Sequence, residues 1–244
     1  MTAVRAALVV AAALVAAPAT NGDAGALAGS TIAIDPGHNG GNAANAARIS
    51  RLVNAGTLRK ACDTVGAATR SGYTEAAHNL DVALRLQRIL RASRARVVLT
   101  RRTNRGWGPC ITTRAAIGNR AHADAAVSIH ADGGFSTGRG FHVIYPASIR
   151  GLTDDIAADS HRLALAVRKA YARTTGMPYA DYTAREGLAA RRDLGGLNLS
   201  DVPKVFLEAG NMRNATDGRL LSSARFRQLE ARALAEALAD FLER

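Results

Sequence analysis

Two spacings of apolar residues follow one another along the chain, and they predict alternating strands and helices. Short apolar runs, the first at residues 31–34, predict strands, while apolar positions three and four apart, as in residues 73–92, predict helices. The same pattern predicts strands at residues 96–100, 125–129, 141–145 and 204–207, and helices at residues 111–122, 154–174 and 223–242. This alternation is typical of an α/β fold in which helices cover both faces of one sheet.

The residues between the periodic segments complete this outline. We expect Thr153 to cap the helix that follows it and Gly176 to end that helix. Residues 42–72 contain several glycines and predict a long ordered loop with one short helix near residues 43–54. Residues 177–202 are irregular as well. No linker separates the segments, so the sequence predicts a single domain.

The N-terminus carries a pattern that belongs to targeting. Arg5 precedes an unbroken apolar run at residues 6–17, and Ala17-Pro18-Ala19 supplies the small residues of a cleavage site. The run is too short to cross a bilayer. We therefore predict a secretory signal peptide at residues 1–19 and a mature chain, without a membrane span, that acts in the periplasm, the cell wall or the medium. A retained membrane anchor is the alternative.

Export changes the interpretation of the two cysteines, Cys62 and Cys110. An even pair in an oxidising compartment predicts one disulfide between two loops. Closing a loop of about 48 residues contributes about 3–4 kcal/mol in the chain-entropy model. Two unpaired thiols are the alternative, and the absence of a CxxC pair argues against a zinc–cysteine site.

The net charge is +12, and arginine supplies nearly all of it, since the only lysines are Lys60, Lys169 and Lys204. Nucleic acid is the usual partner of so basic a chain. Predicted export argues against nucleic acid, because the polyanions outside a bacterial membrane are cell-wall polymers and lipid head groups. The alternative is that arginine serves as the general solubilising residue of this protein.

Four residues with metal-binding or acid–base side chains stand at the ends of predicted elements. His38 follows Asp35-Pro36-Gly37 at the end of the first strand, His130 and Glu208 end two later strands, and Glu75 opens a helix. The carboxyl ends of strands are where ligands collect in α/β sheets. Two histidines and one carboxylate are a known zinc set with water in the fourth position, and a second glutamate can serve as general base and acid.

These motifs, in this order, resemble the zinc-dependent N-acetylmuramoyl-L-alanine amidases of bacteria, the amidase type 3 family, and among them the compact secreted members of mycobacteria and their relatives. The resemblance rests on Asp35-Pro36-Gly37-His38, Glu75 with Asn79-Leu80, Ser128-Ile129-His130-Ala131-Asp132 and Leu207-Glu208-Ala209-Gly210-Asn211. It covers about residue 30 to the C-terminus and implies a catalytic domain at residues 30–244. It also implies a mixed, mostly parallel sheet of about six strands flanked by helices.

The resemblance implies one Zn2+ per chain, with His38, Glu75 and His130 as its ligands and Glu208 as the catalytic glutamate. The implied reaction is cleavage of the amide between the lactyl group of N-acetylmuramic acid and L-alanine, in cell-wall turnover or daughter-cell separation. The implied partners are peptidoglycan or muropeptide fragments, and we expect a monomer. As substrate-binding residues we predict Arg192, Arg213, Asn211 and Arg70.

The chain departs from the family pattern at a few positions. Asn104 stands near the place of a family aspartate, an insert at about residues 105–112 follows it, and Asn39 stands where glycine is common. His78 lies three residues after Glu75 and invites the idea of another ligand, but the family has none there. Trp107 in the insert contacts substrate or packs locally.

Two other functions remain open at this stage. A zinc peptidase that cuts within stem peptides would use the same four residues. A non-catalytic module that binds the wall through its basic surface belongs to another class, and it predicts the loss of a ligand or of the catalytic glutamate. All four residues are present.

Overall fold

A computed structural model describes residues 27–243, and its centre is one six-stranded sheet between two layers of helices. The predicted signal peptide lies outside the described residues. Within residues 27–243, no helix has both the length and the apolar character needed to cross a bilayer.

The strands of the described residues form one large sheet and one hairpin. They are β1 (Thr31–Pro36), β2 (Leu52–Asn54), β3 (Arg59–Ala61), β4 (Arg96–Leu99), β5 (Ala125–Asp132), β6 (His142–Pro146), β7 (Leu188–Arg191) and β8 (Lys204–Asn211). The large sheet has the order β4-β1-β5-β8-β6-β7, and its strands are parallel except for the antiparallel pair β8–β6. Strands β2 and β3 form the separate antiparallel hairpin. The mixed, mostly parallel sheet is therefore confirmed.

The helices pack against both faces of the large sheet. They are α1 (Ala46–Ile49), α2 (Glu75–Ala92), α3 (Ile111–Arg120), α4 (Ala157–Thr175), α5 (Gly195–Asn198), α6 (Ala215–Leu221) and α7 (Ala224–Leu242). Helix α7 contacts both α2 and α4, and the three cover one face, while α3 and α5 contact each other on the opposite face.

Side chains that alternate along β1 explain the two layers. Ile32 and Ile34 are fully buried in the large core beneath α2 and α7, whereas Ala33 belongs to a smaller cluster with Ala126 and Val202. Successive residues of a strand point to opposite faces, so a strand buried on both faces is apolar throughout. Small residues on the second face allow α3 to approach the sheet closely.

Most predicted elements are confirmed, with shifts at their ends. The expected cap by Thr153 is wrong, because α4 begins at Ala157 after Ile156, while the Thr153 hydroxyl donates to the Ala147 carbonyl at 2.6 Å. Gly176 ends α4 as expected, with φ of 69°. The segments interpreted as loops contain the β2–β3 hairpin, β7 and α5, and α6 had no counterpart in the prediction.

The expected disulfide joins Cys62 to Cys110, with 4.4 Å between the two Cα atoms. The bond links the residue that follows β3 to the residue that precedes α3. Beside it, the Ile111 amide donates to the Cys62 carbonyl at 2.8 Å. The hairpin, and Asp63 directly after Cys62, are therefore held against the N-terminus of α3.

Candidate metal centre

Three adjacent parallel strands bring the predicted chemistry to one edge of the sheet. Strand β5 lies between β1 and β8, His38 follows β1 by two residues, and His130 of β5 is paired in register with Glu208 of β8. Glu75 is the first residue of α2, and the Thr74 hydroxyl before it accepts a hydrogen bond from the Ala77 amide. The carboxyl ends of β1, β5 and β8 and the start of α2 thus converge.

His38, Glu75 and His130 form a compact group of three ligand atoms that all lie within 4.8 Å of one another. Oε1 of Glu75 lies 3.1 Å from Nε2 of His38 and 3.0 Å from Nδ1 of His130. The two imidazole rings meet edge to face, with 4.9 Å between their centroids. Two tetrahedral zinc ligands about 2.0–2.1 Å from the ion lie roughly 3.4 Å apart, so this spacing suits one ion.

The backbone around His38 is shaped to allow this approach. His38 itself has φ of 56°, in the left-handed region. A Cβ on the preceding residue, Gly37, would lie 2.2 Å from the His130 ring, and a Cβ on Gly66 would lie 2.8 Å from Oε2 of Glu75. Glycine at both positions therefore leaves room for the side chains of the centre.

The ring nitrogen of His38 that faces away from Glu75 has its own acceptors. Nδ1 lies 3.3 Å from Oδ1 of Asp63 and 3.0 Å from the Thr64 carbonyl oxygen. A hydrogen on Nδ1 leaves the lone pair of a neutral ring on Nε2, the atom that faces Glu75. A carboxylate behind a histidine in this manner fixes the ring and raises its basicity as a metal ligand.

Asp63 is one end of a group of buried charges beneath the centre. Arg114 lies between two carboxylates, 3.1 Å from Oδ2 of Asp63 and 2.8 Å from Oδ1 of Asp35. Asp35 also accepts hydrogen bonds from the hydroxyls of Thr100 and Ser128. Because these groups are mutually paired, the loop that follows β1 is held at the side of the sheet where His38 stands.

The charges and the burial of the centre shift the pKa values of its three side chains. Burial lowers the pKa of His38, but the carboxylates of Glu75 and Asp63 outweigh burial and raise it to about 10. Burial raises the pKa of Glu75, yet the two imidazoles hold it well below its usual range. Burial lowers the pKa of His130. The metal-free centre therefore favours the protonated, positively charged form of His38 and an ionised Glu75.

Glu208 lies beside the three ligand atoms with a different electrostatic environment. Burial and the carboxylates of Glu75 and Asp132 raise its pKa well above the usual value. The carboxylate of Asp132 also accepts a hydrogen bond from the Gly133 amide at 2.6 Å. A carboxylate with a raised pKa holds a proton more strongly than an ordinary glutamate, and this suits a group that accepts a proton and then returns it.

Two spaces of different character meet at the imidazoles. An open polar cleft is lined by Glu75, Glu208, Asp132 and Arg213 together with both histidines. A more enclosed cavity of about 190 Å³ also borders both rings, and its exposed surface is mainly apolar although Asp63 and Arg114 contribute to its lining. Its lining includes Phe206, which stacks on the His130 ring with 5.1 Å between centroids, and Leu194, Ile111 and Ala61.

The predicted substrate-binding residues lie at different distances from this centre. Arg213 is exposed and lines the polar cleft, whereas Arg70 lines a neighbouring depression with Arg219. Arg192 is exposed and lines neither space. Its neighbour Arg191 acts on the site instead, because the positive charge of its guanidinium partly opposes the rise in the pKa of Glu208.

The structure does not support a substrate contact for Asn211. Its side chain is fully buried, and its amide nitrogen donates to the carbonyl oxygens of Phe135 and Gly138 at 2.7 and 2.8 Å. Asn211 therefore anchors the loop after β5 to β8. Asp63, which lines the enclosed cavity, and Asp132, which lines the polar cleft, were given no role of their own from the sequence, and only their positions in the fold reveal one.

The departures from the family pattern also have structural roles. Oδ1 of Asn104 accepts a hydrogen bond from the Gly40 amide at 2.9 Å, so it braces the loop that carries His38. Trp107 lies under the guanidinium of Arg48, which is 5.5 Å from the ring centroid. His78 is fully buried, and its Nε2 faces Glu230, so His78 is outside the metal group.

The donor set can be tested against the metals that bind such residues. Two imidazoles and one carboxylate are the ligands of catalytic zinc, and the polar cleft beside them would admit a water molecule or substrate to a bound ion. Hard cations such as Mg2+ and Ca2+ prefer oxygen ligands throughout. The residues present therefore fit Zn2+.

Comparison with known proteins gives agreement over nearly the whole described chain. The family model described as N-acetylmuramoyl-L-alanine amidase matches residues 32–240. The N-acetylmuramoyl-L-alanine amidase Rv3717 of Mycobacterium tuberculosis is 41% identical over 216 residues, which are 88% of this chain and 88% of that protein.

Two crystal structures share the fold. The N-acetylmuramyl-L-alanine amidase Ami1 from Mycobacterium smegmatis has a TM-score of 0.83 at 40% identity, covering 88% of this chain and 98% of that chain. The apo form of Ami1 from Mycobacterium abscessus has a TM-score of 0.83 at 37% identity, covering 88% of this chain and 100% of that chain.

Proposed function

The chain belongs to the N-acetylmuramoyl-L-alanine amidase family, and we propose that it is a zinc hydrolase of peptidoglycan. It cleaves the amide between the lactyl group of N-acetylmuramic acid and the first L-alanine of the stem peptide. The observation that carries this proposal is the group of His38, Glu75 and His130, whose ligand atoms lie within 4.8 Å beside Glu208.

Zinc in this group would supply a Lewis acid that polarises the amide carbonyl and makes the attacking water more acidic. Glu208 accepts a proton from that water and then delivers it to the alanine nitrogen as the C–N bond breaks. Its raised pKa supports the first step, because a carboxylate with a raised pKa is a stronger base than an ordinary glutamate. Asp63 keeps the His38 ring oriented during the reaction.

The two spaces at the centre suggest which half of the substrate lies on each side. The stem peptide carries carboxylates, and the polar cleft contains the exposed guanidinium of Arg213. The acyl half of the scissile amide is uncharged and bears methyl groups, and the enclosed cavity by Phe206 is apolar. We therefore orient the peptide toward Arg213 and the lactyl side toward Phe206.

The biological setting follows from the N-terminal sequence together with this activity. A signal peptide at residues 1–19 directs the enzyme out of the cytoplasm, and residues 30–244 act as a monomeric catalytic domain on peptidoglycan or muropeptide fragments. The basic surface favours an anionic wall polymer, and the role is cell-wall turnover or daughter-cell separation. Detection of the mature chain in the medium or wall fraction, with its N-terminus near residue 20, tests the export step.

A defined muramyl peptide distinguishes the proposed reaction from its nearest alternative. Mass spectrometry of the digest should give free glycan and an intact stem peptide, and a chelator should abolish both products until Zn2+ is restored. Cleavage within the stem peptide would identify a peptidase instead. Wall binding without any product would identify a non-catalytic module.

A further inference from the structure

A histidine–glutamate pair is buried in the core next to the proposed zinc centre. His78 on α2 and Glu230 on α7 both have no exposed surface, and Nε2 of His78 lies 3.0 Å from Oε2 of Glu230. Burial lowers the pKa of His78, but the Glu230 carboxylate outweighs burial and raises it. Nδ1 and Nε2 of His78 both face acceptor oxygens, so the ring donates from both nitrogens, toward Asn79 and toward Glu230.

One end of this pair leads to the proposed ligand Glu75. Nδ1 of His78 lies 3.1 Å from Oδ1 of Asn79, so the imidazolium donates to that oxygen. The amide nitrogen of Asn79 is thereby turned the other way, where it donates to the Gly37 carbonyl at 3.2 Å and to Oε1 of Glu75 at 3.4 Å. If the Asn79 amide were flipped, its oxygen would face the Gly37 carbonyl and Oε1 of Glu75, which are both acceptors, and neither hydrogen bond could form.

The other end leads to the strand that carries Glu208. The hydroxyl of Tyr171, fully buried on α4, lies 2.7 Å from Oε1 of Glu230 and 2.9 Å from the Ala209 carbonyl oxygen. It shares its single hydrogen between these two acceptors. Ala209 directly follows Glu208 in β8, so this bond fixes the backbone at the catalytic position.

Stability alone is a poor reason for such a pair. Removing two charges from water costs several kcal/mol per ion, and well-packed apolar residues at the same places are often as stable or more stable. Leu86 of α2 and Leu234 of α7, on the same helices as the pair, belong to the apolar core, while the charge of Arg227 also acts on His78. Together with Tyr171, the pair also connects α2, α4 and α7 to β8.

We propose that Glu230 is a positioning residue, which through His78 and Asn79 orients Glu75 and through Tyr171 holds the segment of β8 that carries Glu208. The inference rests on the proposed function, because it assigns Glu75 to zinc and Glu208 to proton transfer. Its two branches have separate consequences. The branch to Glu75 governs zinc affinity, and the branch to Glu208 governs turnover.

Zinc affinity, measured by competition with a chromophoric chelator and without substrate, tests the first branch. In Glu230→Gln the charge that keeps His78 protonated is lost, and we expect zinc affinity to fall about 10–100-fold, the usual cost of losing an outer hydrogen-bond partner. Glu236→Gln is the matched control. Glu236 lies on the same helix, is partly exposed and pairs with Arg173, so its variant should bind zinc like the parent.

Tyr171→Phe tests the second branch with a single deleted oxygen. At saturating zinc we expect kcat to fall several-fold while KM and zinc affinity stay at the parent values. If Glu230→Gln does not fold, His78→Gln replaces it, because the new amide still donates to Glu230 but cannot also reach Asn79. Its zinc affinity should fall in the same range.

The inference is overturned if these variants lose unfolding stability while zinc affinity and kcat per folded molecule equal those of the parent. That result would assign the pair a structural role only. It differs from failure of the proposed function, in which the parent protein itself neither binds zinc nor cleaves a muramyl peptide. Urea unfolding of every variant identifies the structural role, whereas zinc binding and muramyl-peptide cleavage by the parent identify failure of the proposed function.

Discussion

Oδ1 of Asp63 lies 3.3 Å from Nδ1 of His38, on the side of the ring opposite Glu75. Asp63 reaches this position because the disulfide at Cys62 and the guanidinium of Arg114 hold it. A histidine between two carboxylates is locked in rotation, here with Nδ1 toward Asp63 and Nε2 toward Glu75. The arrangement connects the stability of the hairpin segment directly to the chemistry of the centre.

Asp63→Asn should weaken zinc binding about 10–100-fold while leaving the fold intact. The amide keeps the shape of the carboxylate but loses the charge that raises the basicity of His38. Chelator competition at fixed pH measures the effect. Asp159→Asn, which changes an exposed residue paired with Arg162 on α4, is the control and should bind zinc as the parent does. Equal affinities in the parent and Asp63→Asn would show that Asp63 does not support His38.

Glu208→Gln should reduce kcat about 10²–10⁴-fold, the range expected when a general base and acid is removed. The variant keeps the size of the side chain but cannot accept a proton. Zinc content, measured by metal analysis of the purified protein, should remain one ion per chain because Glu208 is not among the three ligands. A parallel loss of zinc would instead assign Glu208 to the coordination sphere.

Zinc affinity should rise with pH by about tenfold per unit between pH 7 and pH 9. In the metal-free centre the pKa of His38 is about 10, so the ring is protonated over this range and zinc binding must release that proton. The pKa of His130 is lowered, so His130 is already neutral and adds no further slope. Competition titrations at several pH values measure it, and a flat profile would contradict a protonated His38.

Protonation of His38 should also stabilise the metal-free protein. The pKa of His38 is raised above the usual 6.5, so its stabilising effect is complete below pH 6.5 and disappears as pH rises through about 10. Urea unfolding of the metal-stripped protein should therefore show a decline in unfolding free energy across this window. His38→Gln should have a smaller decline, and the difference between the two curves isolates His38.

The sequence predicted the four central residues because each stands at the end of a strongly apolar element. His38, His130 and Glu208 end neighbouring strands of a parallel sheet, and parallel strands present their carboxyl ends at one edge. Asp63 escaped prediction because it lies in a segment without periodicity, held by a disulfide and a hairpin. Asn211 was predicted to bind substrate because the sequence does not distinguish a polar residue that faces a cleft at the end of a strand from one that anchors a loop.

The contact between His78 and Glu230 could not be predicted from the sequence, for a different physical reason. His78 and Glu230 are 152 positions apart and lie on helices whose patterns are otherwise ordinary. A charged residue on the apolar side of one helix indicates a partner but cannot identify it. Only the packing of α2 against α7 brings the two side chains together.

Loss of the disulfide should reduce both stability and metal binding. Replacing Cys62 and Cys110 by serine removes a cross-link over 48 positions, which costs about 3–4 kcal/mol of unfolding free energy in the chain-entropy model. Because Asp63 directly follows Cys62, zinc affinity should fall as well. Urea unfolding and chelator competition measure the two effects. A reducing agent should reproduce them in the parent and change nothing further in the variant.

Arg213→Gln should raise KM about tenfold for substrates whose stem peptides carry free carboxylates, with little change in kcat. Arg213 is exposed in the polar cleft, and a charge-assisted hydrogen bond weakened by solvent contributes roughly 1.4 kcal/mol, which is tenfold. The KM for an amidated stem peptide should hardly change, because that substrate lacks the charge. Arg70→Gln is the comparison, since Arg70 lies in the neighbouring depression. If Arg70→Gln raised KM and Arg213→Gln did not, the peptide would run past Arg70 instead.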